Sequence, residues 1–152
     1  MILLSSLFLL MGFFSQAQMV EQNYKTAVGI KFYPAGLTVK HFVSDKAAVE
    51  GLLYSWTYGA RLTALYEFHG NISDVEGLKW YAGPGAHLQF WKSIWKGAYG
   101  GVGLGIDGVV GLDYKFKDLP INLSVDWQPS YNITGWSHFE AGYGGVGIRY
   151  TF

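Results

Sequence analysis

The side chains with which this 152-residue chain can do chemistry are 11 acidic, 11 basic and 4 histidine residues, with no cysteine among them. The missing thiols exclude a disulfide framework, a thiolate nucleophile, a zinc knuckle and a lipoprotein acylation site. His41, His69, His87 and His138 show no ligand spacing such as H-x-x-x-H, so neither a metal nor any other cofactor is expected. A hydroxyl nucleophile needs an adjacent base. His87 with Asp107 or Asp126, and His138 beside Ser137, are the pairs that could approach one another, but neither matches an enzyme motif and no catalytic residue is assigned. The run Gly103-Leu104-Gly105-Ile106-Asp107-Gly108 spells G-x-G-x-x-G. A nucleotide fingerprint needs a strand, a turn and then a helix N-terminus, whereas strand alternation continues straight through this run. Net charge is zero, which leaves no basic surface for nucleic acid. At 50% hydrophobic, 18% aromatic and only 14% charged, the composition also excludes a disordered chain. Such a composition demands a large core or a membrane, and a single domain of this length has little room for the first.

Residues 1–17 are expected to be a secretory signal peptide. An apolar run from Ile2 to Phe14, interrupted by Ser5, Ser6 and Gly12, leads to the small-x-small site Ser15-Gln16-Ala17. It is shorter than the ~20 apolar residues a membrane span requires. Residues 18–152 then form one domain outside the cytoplasm.

That domain has period two. Thr26, Val28, Ile30 and Phe32 alternate with Lys25, Ala27, Gly29 and Lys31, the two-faced pattern of a strand, and the pattern recurs in seven further segments to the end of the chain. Turn residues separate them at Pro34-Ala35-Gly36, Ser44-Asp45-Lys46, Tyr58-Gly59, Gly70-Asn71, Lys92 to Gly97, Lys117 to Pro120 and Pro129 to Gly135. No stretch forms an amphipathic helix. The expectation is an all-β, eight-stranded antiparallel up-and-down transmembrane β-barrel.

Alternation alone does not say which face meets water, since a soluble lipocalin-like ligand carrier turns its apolar parity inward and a membrane barrel turns it outward. A soluble barrel must cover its outside with charge, yet the polar parity here is rich in Gly, Ala, Ser and Thr, which suit a narrow lumen. Aromatic residues gather near strand ends, as interfacial girdles do. The chain ends on Phe152, with Tyr150, Ile148 and Val146 on the same face.

This ending, Gly145-Val146-Gly147-Ile148-Arg149-Tyr150-Thr151-Phe152, resembles the C-terminal recognition signal of Gram-negative outer-membrane β-barrel proteins. With the signal peptide, the whole domain resembles the small eight-stranded barrels of the OmpA and OmpX type. The resemblance implies integral residence in the outer membrane among its lipids and lipopolysaccharide, insertion by the barrel assembly machinery through Val146, Ile148, Tyr150 and Phe152, and both mature termini in the periplasm. It implies no chemistry, because that architecture serves anchoring, adhesion and lipid modification alike. A monomer with a structural or surface-interaction role is expected, a lipid-modifying enzyme being the alternative. Pro84 is a departure from the strand pattern, and Gly83-Pro84-Gly85 reads as a bulge or kink within the fifth strand rather than a break.

In that orientation Lys40, Glu50, Glu67, Lys79, Asp113 and Arg149 point inward at one level of the periplasmic half, with Asn122 between the last two. Three positive and three negative groups can neutralise one another, which predicts an ion network that plugs the lumen and makes the barrel no pore. Trp91, Lys92, Trp95, Lys96, Tyr131 and Trp136 are expected on outward loops, where aromatic and basic side chains suit glycans, lipopolysaccharide phosphates or a protein partner.

Overall fold

The computed structural model describes residues 24–32, 35–56, 59–72, 75–91, 101–134 and 138–152. The expected signal peptide, and Lys92, Trp95, Lys96 and Trp136, lie outside them. The strands are β1 (Thr26–Phe32), β2 (Gly36–Phe42), β3 (Ala47–Trp56), β4 (Gly59–Asn71), β5 (Leu78–Trp91), β6 (Val102–Lys115), β7 (Ile121–Trp127), β8 (Ser130–Asn132), β9 (Phe139–Glu140) and β10 (Gly144–Thr151). No helix forms among the described residues. All pairings are antiparallel: β1 to β6 pair in succession, β6 pairs β7 and β8, β8 pairs β9, β7 pairs β10 and β10 pairs β1, so the sheet closes on itself. β7 with β8 makes the seventh stave and β9 with β10 the eighth. The molecule is therefore an eight-stranded closed antiparallel up-and-down β-barrel.

Two details of the strand reading change. The break placed at Pro129 is not one: β6 and the seventh stave keep a single register from Lys115↔Asn122 through Val110↔Trp127 to Gly105↔Asn132, and the Gly108 amide donates to the Pro129 carbonyl at 2.9 Å. Proline lacks only its own N–H, so the strand passes through it. At Gly83-Pro84-Gly85 no residue is inserted. Register with β6 is continuous through Pro84↔Gly108, and register with β4 is the same on either side of the site. What is lost is the local pairing of Tyr66 and Glu67 on the β4 side, so this is a gap in the ladder and not a bulge. Gly83 permits it, because a Cβ there would overlap the Tyr66 carbonyl oxygen.

The two faces of the wall have the reverse of a soluble core's polarity. Val28, Ile30, Leu37, Val39, Leu53, Leu62, Phe68, Trp80, Leu88, Ile106, Val110, Leu112, Val125 and Ile148 point out and are exposed. Pointing in and buried are Lys31, Lys40, Glu50, Arg61, Glu67, Asp107, Asp113, Asp126 and Arg149. Charged side chains are almost never fully buried unless paired, so the interior must be a connected polar structure.

Candidate functional site

Near the end of the barrel where β1 begins and β10 ends lies the layer expected from the sequence. Lys40, on β2, places its ammonium 2.9 Å from Glu67 on β4, 3.5 Å from Asp113 on β6 and 3.9 Å from Glu50 on β3. From β10, the Arg149 guanidinium binds Glu50 and donates to Thr38 Oγ1 at 3.1 Å, Asn122 Oδ1 at 3.1 Å and Ser124 Oγ at 2.8 Å. Asn122 Nδ2 donates to Asp113 Oδ1 at 2.5 Å. Lys79 is only half-buried. It is the register partner of Asp113, and its ammonium stands 5.8 Å from the Phe42 ring centroid. Thus Lys40, Glu50, Glu67, Asp113, Asn122 and Arg149 converge, with Lys79 at their margin and Thr38 and Ser124 completing the set.

Aromatic rings close this end. Tyr24 meets Phe42 edge-on at 5.2 Å, Phe42 meets His69 at 4.8 Å, and His69 stacks on Tyr81 at 5.2 Å. The Tyr24 hydroxyl donates to Asp113 Oδ2 at 3.4 Å, and burial beside that carboxylate pushes the phenol well above its ordinary pKa.

Above this layer the lumen holds a belt the sequence reading did not anticipate: Leu52, Tyr54, Leu65, Tyr81 and Val109 form one buried cluster. Leu52, Leu65 and Val109 sit on the inward parity among apolar neighbours of the other face, where alternation of polarity gives no signal. Tyr81 links the levels. Lys40 Nζ lies 4.2 Å from its ring centroid while its hydroxyl donates to Asp126 Oδ2 at 2.5 Å. Asp126 also takes the Lys31 ammonium at 2.5 Å. Gly111 makes this possible, since a Cβ there would fall 2.8 Å from the Tyr81 ring.

Toward the far end a second polar constellation closes on itself. Arg61, from β4, binds Asp107 on β6 and reaches Glu140 on β9 at 3.0 Å, its guanidinium carbon 3.8 Å from the Tyr143 ring centroid. Asp107 Oδ2 lies 2.8 Å from His87 Nδ1, His87 Nε2 lies 2.6 Å from Asn132 Oδ1, and Glu140 Oε1 lies 2.8 Å from His138 Nε2. Asn132 Nδ2 is 3.4 Å from the same His138 nitrogen. Of the pairings the sequence offers for His87, with Asp107 or with Asp126, the structure makes the first, while Asp126 is taken by Lys31 and Tyr81; Ser137, the neighbour considered for His138, lies outside the described residues. The sequence did not single out Arg61 or Glu140, 79 positions apart, because their meeting depends on the shear of the closed barrel.

His87 and Asp107 have the spacing of a base and its orienting carboxylate, but both ring nitrogens of His87 are engaged and its side chain is fully buried. Among the described residues no group of three or more His, Asp and Glu is placed to hold a metal ion.

Of the six residues expected on outward loops, two lie within the described residues, and both are on strands. Trp91 ends β5 opposite Gly59, and Tyr131 lies on β8 opposite Ile106 with its side chain exposed on the outer wall. Val146, Ile148 and Tyr150 lie on β10 beside β1, with Val146 and Ile148 exposed on the outer wall and Tyr150 partly so. The Phe152 amide donates to the Thr26 carbonyl at 2.8 Å, which fixes the end of the chain to the first strand. No protein-family model, curated protein or solved structure matches this chain.

Proposed function

We propose that this is an integral outer-membrane β-barrel protein of a Gram-negative envelope, with a structural or surface-interaction role and a lumen that conducts no ions. The observation that carries the reading is the inverted polarity of the wall: leucine, valine, isoleucine and aromatic side chains exposed outside, lysine, arginine and carboxylates buried inside. In water that exterior would be a contiguous apolar surface far larger than monomeric soluble proteins tolerate. In lipid it is the required lining, and the closed sheet leaves no unpaired backbone edge around its middle. Outer-membrane lipids and lipopolysaccharide are then the surroundings, the assembly machinery is the partner during insertion, and both termini face the periplasm. The cross-lumen bonds of Arg149, Lys40, Tyr81 and Arg61 are the basis for a plugged lumen.

Two measurements test this. The protein should stay in the membrane fraction after carbonate extraction and run at different positions on a denaturing gel before and after boiling, the mark of a barrel that resists detergent. Release by carbonate without detergent refutes the membrane reading. Purified protein in a planar bilayer should give no steady conductance; steady channels refute the plug and leave the membrane assignment standing.

A further inference from the structure

The layer around Lys40 is one positive charge short. Its buried cations are Lys40 and Arg149, and its buried carboxyls are Glu50, Glu67 and Asp113. Lys79, which the sequence offers as a third cation, stands half-buried at the margin, in register with Asp113 and not with either glutamate. The other buried ions do not make up the difference, because Lys31 pairs with Asp126 and Arg61 with Asp107. A charge left uncompensated inside a closed lumen is costly, so the layer must find its balance in another way.

The oxygens that lack a donor lie on two of these carboxyls. In the register of β3 with β4, Glu67 stands opposite Ala48, two places from Glu50 and on the same inward face, so the two glutamates are diagonal neighbours. Their carboxyls meet within hydrogen-bonding distance. Each has one oxygen well supplied: Glu50 Oε1 accepts from Arg149 and Thr38, and Glu67 Oε2 lies 2.9 Å from Lys40 Nζ and 3.0 Å from His69 Nε2. Glu50 Oε2 and Glu67 Oε1 have no hydrogen-bond partner, and Lys40, 3.9 Å from Glu50 Oε2, is too distant to be one. Two carboxylates in contact repel, and neither offers the other a donor. What the pair lacks is a single hydrogen.

We propose that Glu50 and Glu67 form a proton-binding site in the lumen, at which one proton is held between the two carboxyls at neutral pH. Glu67 carries it and donates to Glu50, because Glu50 is bonded directly by the Arg149 guanidinium while Glu67 shares Lys40 with Asp113. The layer then holds two cations and two anions. Of the other groups that face the pair, Tyr24 already donates to Asp113 and Tyr81 to Asp126. His69 is the remaining side chain able to take a proton near neutrality. Its Nδ1 has no partner, so a neutral ring donating from Nε2 to Glu67 leaves one lone pair unmet, whereas a charged ring would bury an N–H with no acceptor. In the unfolded chain both glutamates ionise near about pH 4.3. The folded barrel therefore binds one proton more than the unfolded chain at neutral pH, and its folding equilibrium constant falls about tenfold for each unit that the pH rises.

The test is infrared spectroscopy of the full chain folded in detergent micelles near neutral pH. The wild type should show the carbonyl stretch of a protonated carboxylic acid. Glu67→Gln, whose amide keeps a donor for Glu50 and an acceptor for Lys40, should fold and lose that band. Urea unfolding in lipid vesicles supplies a second reading: from about pH 6 to about pH 8 the wild-type folding constant should fall about tenfold more per pH unit than that of Glu67→Gln, the histidine contributions being common to both. A wild type without the band, the result expected if His69 held the proton or if both carboxyls were ionised, overturns the proposal. So does a band that survives in Glu67→Gln, or an equal pH dependence in the two proteins.

Discussion

Arg149→Met tests whether the charged lumen acts as the barrel's core. The guanidinium is buried and satisfies Glu50, Thr38, Asn122 and Ser124, contributed by β3, β2 and β7, so one side chain on β10 ties together both flanks of the ring. Methionine of similar length leaves Glu50 with the Thr38 hydroxyl and a Lys40 ammonium 3.9 Å away, and that ammonium is already nearer Glu67 and Asp113. Removing one partner of a buried ion pair costs about 3–5 kcal/mol. The orphaned amide and hydroxyl oxygens add to this, although hydroxyls can rotate toward one another, so a loss of about 4 kcal/mol is expected. With a urea dependence of about 2 kcal/mol per molar, the unfolding midpoint should fall by about 2 M. The assay is the folded fraction on an unboiled gel across a urea series in lipid vesicles. Glu50→Gln alone should also destabilise, but the double variant should cost less than the sum by about 2 kcal/mol, since neither charge is then left unpaired. Arg149→Lys should fall between, because one ammonium cannot span the four partners. A loss below about 1 kcal/mol, or strict additivity in the double variant, would show the charges to be independently hydrated in a wet lumen and refute the argument.

Three further outcomes follow from the same geometry. Val125→Arg, on the exposed wall, should destabilise the barrel in lipid by about 2–4 kcal/mol in the same urea assay, whereas in a soluble barrel it would be neutral. Gly83→Ala should cost more than about 2 kcal/mol because its Cβ meets the Tyr66 carbonyl; Gly51→Ala, with no atom within 4 Å of the new carbon, should change stability by less than about 0.5 kcal/mol. Tyr81→Phe removes the hydroxyl that binds Asp126 while keeping the ring against Lys40, so it should cost about 1–3 kcal/mol and leave bilayer conductance absent.

Period two made most of the architecture legible. A one-residue slip would reverse both faces of a strand, so wherever polarity alternates cleanly, as from Lys25 to Phe32, the inward parity is unambiguous. The terminal-end layer was legible because its charges fall at similar distances from strand ends. Three things were not. Adjacent apolar pairs such as Leu52–Leu53 and Val109–Val110 carry no polarity contrast, which concealed the belt between the ionic layers. The ring at the far end depends on stagger, which brings Arg61 of β4 to Glu140 of β9 and is set only when the sheet closes. Pro129 carries a turn signal in the sequence, yet a strand can pass through a proline whose missing N–H is not needed.

The position of the buried ion pairs relative to the closing seam carries a further consequence. β1 and β10 meet over six register pairs, Ala27↔Thr151 to Phe32↔Val146. Every other pairing in the ring joins staves that are neighbours in sequence; this one joins the ends of the domain and carries the largest loop-closure entropy. Lys31, on β1, reaches past β10 to Asp126 on β7, and Arg149, on β10, reaches past β1 to Thr38 on β2 and Glu50 on β3. The two bridges straddle the seam in opposite directions. Unzipping β1 from β10 must therefore break two buried charge pairs in addition to the ladder, and in the low-dielectric lumen each broken pair leaves a carboxylate and a cation without compensation. Lumen charges that are costly to bury one by one thus resist opening at the one contact that chain connectivity does not enforce.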